Sequence, residues 1–153
     1  MIKRIADYGN KDSFVNKARR NRIKLFVSFV SSLPRPLNIL DVGGSIQFWK
    51  KADFTDKDIN YTIINPRMTS RIEDSFTVIN GDGTNIHQFE GNQFDVVFSN
   101  SVIEHIYTFE KQQAMASEMQ RVGKYHFVQT PNYFFPIEPH FFISWVSILT
   151  YEC

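Results

Sequence analysis

Several polar tips stand out because each closes an apolar run. Asp41 with Gly43 and Gly44 follows LNIL, Asn65 follows YTII, Asp82 lies in GDGT behind FTVIN, and Ser99, Asn100 and Ser101 follow FDVVF. Glycine lets a chain turn sharply and lets a ligand approach the backbone, and Asp41 puts a carboxylate beside such a turn. A pyrophosphate would ask for a GxGxxG arrangement at a helix N-terminus free of nearby negative charge. LDVGGSIQFW has Gly43 and Gly44 but no third glycine, so a cationic ligand suits it better. The Asn65 amide oxygen can accept a hydrogen bond from a sugar hydroxyl, more weakly than a carboxylate would. It can equally cap a strand before Pro66. Asp82 can accept from an exocyclic amino group or simply complete a turn. Ser99 to Ser101 can bond a ligand or cap the next helix.

These tips matter only if one scaffold brings them together. The apolar runs Leu37–Val42, Tyr61–Ile64, Phe76–Ile79, Phe94–Phe98 and Tyr125–Val128 read as five buried strands, each ended by Gly, Asn, Ser or Pro. Ser13–Leu33 reads as an amphipathic helix ended by Pro34 and Pro36, and Thr108–Val122 as another. Strands separated by helical or loop segments predict a Rossmann-like α/β fold, a doubly wound and mostly parallel sheet. In such sheets ligands sit beyond the C-terminal strand ends, where the polar tips fall.

Composition fits this picture. The chain has 153 residues, 42% hydrophobic and 22% charged, which suits one globular core and excludes disordered and fibrous classes. A net charge of +1 hides an asymmetry: residues 1–36 carry nine Lys or Arg against two Asp, and residues 37–153 carry eight against fourteen acids. The sequence thus divides into a basic N-terminal helical arm, 1–36, and a ligand-binding domain, 37–153. The lone Cys153 forms no internal disulfide, and MIKRIADYGN has no signal-like apolar segment, so a cytoplasmic setting is expected. No apolar run is long enough to span a membrane.

The ordered series LDVGG, YTIIN, GDGTNI, FDVVFSNSVIEHI and HFVQTPNYFFPIEPH resembles class I S-adenosylmethionine (SAM) dependent methyltransferases, especially the methyltransferase type 11 group, over about Leu37 to Trp145. The resemblance implies SAM as cofactor. It places Asp41, Gly43 and Gly44 at the methionine end, Asn65 at the ribose, Asp82, Gly83 and Thr84 at adenine, and Ser99, Asn100 and Ser101 alongside. Many relatives carry an acid where this chain has Asn65. Relatives also end in two further strands that this chain is expected to lack, which would leave the fifth strand as an open edge beside FFISWVSIL, a surface for a homodimer or for the terminal segment.

Methyl transfer from a sulfonium needs a positioned acceptor and, for a hydroxyl acceptor, a base. Glu138 and His140 in PIEPH are the candidates, and Tyr133, Phe134, Phe135, Phe141 and Phe142 would shape an aromatic acceptor pocket. Glu104 and His105 resemble a metal pair of some relatives, but Ser101 stands where those have Glu, so no metal is expected. His87 and His126 read as surface or packed residues. The expected function is a SAM-dependent methyltransferase acting on a small-molecule acceptor. A truncated SAM-binding or interaction subunit without catalysis comes second, and a nucleic-acid methyltransferase using the basic arm third.

Overall fold

Alternation along Leu37–Val42, the first strand β1, sends Leu37, Ile39 and Asp41 to one face and Leu40 and Val42 to the other, and both faces are buried. The computed structural model describes residues 14–52, 54, 56–132 and 145–149. After β1 come β2 (Ile59–Ile64), β3 (Arg71–Glu73), β4 (Phe76–Ile79), β5 (Phe94–Asn100), β6 (Gly123–Asn132) and β7 (Trp145–Leu149). They form one sheet in the order β3-β4-β2-β1-β5-β6-β7. The five inner strands are parallel, and β3 and β7 pair antiparallel at the two edges. This is the Rossmann-like, mostly parallel sheet that the strand pattern predicts.

Among the described residues three α-helices cover the faces: α1 (Phe14–Ser31), α2 (Ile46–Lys51) and α3 (Phe109–Val122). On one face Phe26 and Val30 of α1 and Ile46 and Trp49 of α2 pack on Leu37, Ile39, Tyr61, Val96 and Phe98. Phe26 is the hub there, with ring centroids 4.8 Å from Phe98, 5.1 Å from Phe127 and 5.6 Å from Trp49. Such aromatic pairs each add about 0.5–1.5 kcal/mol beyond the area they bury. On the other face Met115, Met119 and Val122 of α3 pack on Leu40, Val42 and Val97. Thr108 caps α3 by accepting from the Lys111 amide at 3.3 Å.

Within the described part of the basic N-terminal segment, Phe26 and Val30 are fully buried in the core shared with the sheet. One expectation needs correction: the fifth parallel strand is not an open edge. Trp145–Leu149, inside the apolar FFISWVSIL, runs antiparallel to β6 with Val128 opposite Leu149 and Asn132 opposite Trp145, because an unpaired strand of ten residues is a template that a nearby apolar segment satisfies. Among the described residues no second strand follows it. No helix there is long and apolar enough to cross a membrane.

Candidate functional site

The strand order reverses direction between β1 and β5, because the chain winds outward through β2 and β4 before returning to the other side of β1. The connections that leave β1 and β5 there go to opposite faces of the sheet, α2 to one and α3 to the other, which leaves room for a cleft. A cleft of about 340 Å³ lies at this point, lined by Asp41, Gly43, Gly44, Ser45, Phe48, Asn65, Phe98 and Asn100. That is within the range of small-molecule sites.

Asp41 is the unusual member. By alternation it belongs to the aromatic face, where an apolar side chain would be ordinary, and it is 1% exposed. The Trp49 indole N–H donates to its Oδ2 at 2.7 Å, while Oδ1 is buried with no partner. Burial pushes its pKa from 3.8 up to about 7, against the opposing pull of the Trp49 indole and the Gly44 amide. A half-satisfied buried carboxylate is costly and stands as a ready acceptor for a cationic or hydrogen-bond-donating ligand.

The turn after β1 is built around this carboxylate. Gly43 has φ of +87°, and its amide donates to the Ile64 carbonyl at 2.8 Å. A Cβ at Gly43 would meet Val102 Cγ2 at 2.5 Å, and one at Gly44 would overlap the Asp41 carboxylate itself. Both glycines are thus required by space, and Gly43 by conformation as well. Ser45 then caps α2, its Oγ accepting from the Phe48 amide at 3.3 Å. Asn65, just beyond β2, donates from Nδ2 to the Gly43 carbonyl at 3.0 Å and the Gly44 carbonyl at 2.9 Å, and its Oδ1 accepts from the Arg67 amide at 2.9 Å.

From β5, Asn100 reaches the cleft, but its neighbours serve other ends. Ser99 is buried and donates to the Val42 carbonyl at 3.1 Å, tying β5 to β1. Ser101 has φ of +56°, a conformation that turns the chain out of the strand, and its amide donates to the Gln129 carbonyl at 2.8 Å. Asp82 folds back on its own turn, its Oδ1 accepting from the Thr84 amide at 2.9 Å. Gly83 lies so close to Val42 that a Cβ would meet its Cγ1 at 2.5 Å. Of the ten residues proposed from sequence to bind the cofactor, Asp41, Gly43, Gly44, Asn65 and Asn100 line the cleft; Asp82, Gly83, Thr84, Ser99 and Ser101 are not among its lining residues.

Sequence reasoning placed Ser45 at a strand end without a role and missed Phe48, Phe98 and, behind them, Trp49. The available signal was the pair Phe48 and Trp49 seven and eight residues after Asp41, within reach of its side chain once a helical turn intervenes. Glu138, His140 and the aromatic residues Tyr133, Phe134, Phe135, Phe141 and Phe142 lie outside the described residues. Glu104, half of the incomplete metal pair, accepts from Thr130 Oγ1 at 3.2 Å.

Residues 40–126 match the family model described as a methyltransferase domain. No curated protein matches the chain in sequence. Among solved structures, a putative methyltransferase from an antibiotic biosynthesis pathway of Anabaena variabilis superposes with a TM-score of 0.56 at 18% identity, covering 72% of this chain and 46% of that one. The CurJ carbon methyltransferase gives 0.60 at 13% identity, with 79% and 37% covered. The Haemonchus contortus phospholethanolamine N-methyltransferase 2, in complex with phosphomonomethylethanolamine and S-adenosylhomocysteine, gives 0.51 at 16% identity, with 73% and 28% covered. The chain thus spans less than half the length of each of these structures.

Proposed function

Because the chain belongs to the methyltransferase-domain family, we propose that its cleft binds S-adenosylmethionine and that the protein transfers a methyl group to a small-molecule acceptor. The observation that carries this reading is the unpartnered Asp41 Oδ1, buried in a cleft-lining side chain at the strand-order reversal. A neutral adenosine alone gives no reason to keep a carboxylate in an aromatic face. A ligand carrying an ammonium and a sulfonium beside its adenosine does, since pairing with a cation is what makes a buried carboxylate tolerable.

The residues present fit that ligand. Asp41 would attract its cationic end directly or through water, and the Gly43–Gly44 turn would admit it close to the backbone. Asn100 supplies a side-chain amide across the cleft, and Phe48 and Phe98 supply apolar walls. Asp82, Gly83 and Thr84, at the next strand tip, are assigned to the adenine. When bound, SAM supplies an electrophilic methyl group on a positively charged sulfur. The protein's own part is to position the acceptor, exclude water and accept a proton, and the last role is assigned to His140 assisted by Glu138. The complexed Haemonchus enzyme, with a small phosphorylated amine and S-adenosylhomocysteine, supports a small-molecule acceptor by similarity of fold.

Titration calorimetry with SAM and with S-adenosylhomocysteine tests the cofactor, and a screen of small hydroxyl, amine and carboxylate acceptors for S-adenosylhomocysteine release tests the reaction. Binding that weakens in Asp41→Ala supports the placement. Absence of binding at millimolar SAM overturns the reading, and an unchanged turnover in Asp41→Ala overturns the placement of the cationic end.

A further inference from the structure

The end of β2 is where an acid commonly receives the ribose in this family, and Asn65 occupies that position. Its hydrogen bonds describe a different task. Both hydrogens of the amide nitrogen are engaged, at 3.0 Å with the Gly43 carbonyl and at 2.9 Å with the Gly44 carbonyl. The oxygen accepts from the Arg67 amide at 2.9 Å. The backbone is fixed as well, since the Asn65 amide donates to Ile79 at 3.1 Å and Gly43 donates to Ile64 at 2.8 Å. The amide's orientation follows from its partners: two carbonyls require the nitrogen and one N–H requires the oxygen.

A carboxylate could not take this place. It would set anionic oxygens against the Gly43 and Gly44 carbonyls, acceptor against acceptor. The amide bridges two consecutive carbonyls of a turn in which Gly43 is left-handed and Gly44 lies so close to Asp41 that a Cβ there would meet the carboxylate. Asn65 thereby fixes the distance between the β2 tip and the loop beside the carboxylate.

We propose that Asn65 is a positioning residue that clamps the Gly43–Gly44 turn in its ligand-receiving shape through its side-chain NH2, and that it is not the acceptor for the ribose hydroxyls. The ligand side of this inference rests on the SAM reading above. The clamp itself does not.

The test compares wild type with Asn65→Asp and Asn65→Ser. Without ligand, thermal unfolding from about pH 5 to about pH 8.5 reads the clamp. Asp41, held against Gly44, titrates in every variant, so the difference from wild type is the readout. Asn65→Asp should be less stable than Asn65→Ser at the alkaline end and should recover on acidification, when a protonated carboxyl can donate to a carbonyl. An aspartate variant matching wild type across the range overturns the clamp. Should Asn65→Asp fail to fold at alkaline pH while Asn65→Ser folds, the clamp is supported.

With ligand, calorimetry uses S-adenosylhomocysteine on wild type and both variants, and its 2′-deoxy and 3′-deoxy analogues on wild type and Asn65→Ser. Both substitutions should weaken S-adenosylhomocysteine binding, the aspartate by about tenfold or more. Removing a hydroxyl should cost the same factor, within about twofold, whether residue 65 is Asn or Ser. A hydroxyl whose removal costs nothing in Asn65→Ser but tenfold in wild type overturns the second half of the proposal. If wild type binds no S-adenosylhomocysteine, the SAM reading fails, and the ligand-free comparison alone decides the clamp.

Discussion

Replacing Asp41 by Asn removes a proton site from the core while keeping the side chain's shape. In the folded chain that site holds its proton up to about pH 7, against an ordinary value of 3.8. The folded state therefore binds more protons than the unfolded chain between those values, and stability must fall as pH rises through this window and level off above it. At about 1.4 kcal/mol per tenfold, the displacement corresponds to at most about 4 kcal/mol lost by wild type on going from about pH 4 to about pH 8. The asparagine variant has no such loss. Its amide oxygen can still accept from Trp49, but its NH2 faces a position without a partner, which costs about 1–3 kcal/mol at every pH.

The difference in unfolding free energy between Asp41→Asn and wild type should thus drift in favour of the variant by about 2–4 kcal/mol as pH rises. Urea denaturation at several pH values, read by far-ultraviolet circular dichroism, measures it. Cofactor binding should move the opposite way. Wild type should bind SAM more tightly as pH rises toward 7, by up to about tenfold for each step of one in pH, because the cation recruits the ionised form. Asp41→Asn should bind weakly and without that dependence. A stability difference that is flat from pH 4 to pH 8 would falsify the account of Asp41 as a buried, half-satisfied acid.

Other substitutions probe the surrounding contacts. Trp49→Phe deletes the side-chain donor that reaches Asp41 at 2.7 Å, so the acid should titrate at still higher pH, shifting the rise in SAM affinity upward; a binding profile unmoved on the pH axis contradicts this. Gly44→Ala sets a methyl group into the Asp41 carboxylate and should cost several kcal/mol, on the order of 3. The double variant Asp41→Ala/Gly44→Ala should recover much of that stability but not SAM binding, and strict additivity of the two changes in unfolding free energy rules out their contact. Glu118→Gln should destabilise by about 1–3 kcal/mol near neutral pH and expose the Ile86 amide to hydrogen exchange, because Glu118 accepts from Arg121 and from that amide. Arg121, first, and the Ile86 amide hold the Glu118 carboxyl down at about 2, so this stabilisation is present above the ordinary 4.5 and disappears as pH falls from there toward 2. Exchange unchanged at Ile86 refutes that assignment.

How far the sequence spoke depended on how many residues each element had to speak with. Strands β1 and β4 have the bounds that their apolar runs imply, and α3 begins at its Thr108 cap, because burial on two faces and helical periodicity leave long, redundant patterns. Helix α2 spans only Ile46–Lys51, too few turns for periodicity, and β3 is three residues of which two are exposed, so neither left a pattern to read. WVSIL is an apolar run interrupted only by Ser147, which alternation cannot separate from a helix. At the site, the position of each tip was legible but not its direction. Asn65 has both donors and an acceptor, and only the three-dimensional placement of the Gly43 and Gly44 carbonyls selects the donors. Ser99 similarly became a strut between strands because its alternation points it inward, toward Val42.

Among the described residues two carboxylates are deeply buried, Asp41 and Glu118, and their contrast locates the chemistry. Glu118 accepts from Arg121 and from the Ile86 amide, and lies within 3.2 Å of His87, so its charge is fully compensated and its role is to fasten the β4–β5 connection to α3. Asp41 has a side-chain donor to its Oδ2 and no partner at its Oδ1. Folding alone would favour either a similar set of partners or an aliphatic side chain there, since Leu37 and Ile39 share its face and pack well. A cost borne by one acid and relieved at the other is not a general property of the core. It falls where β1 and β5 part, beside a turn that a Cβ would block, and there a positively charged ligand would lower the free energy that folding left high.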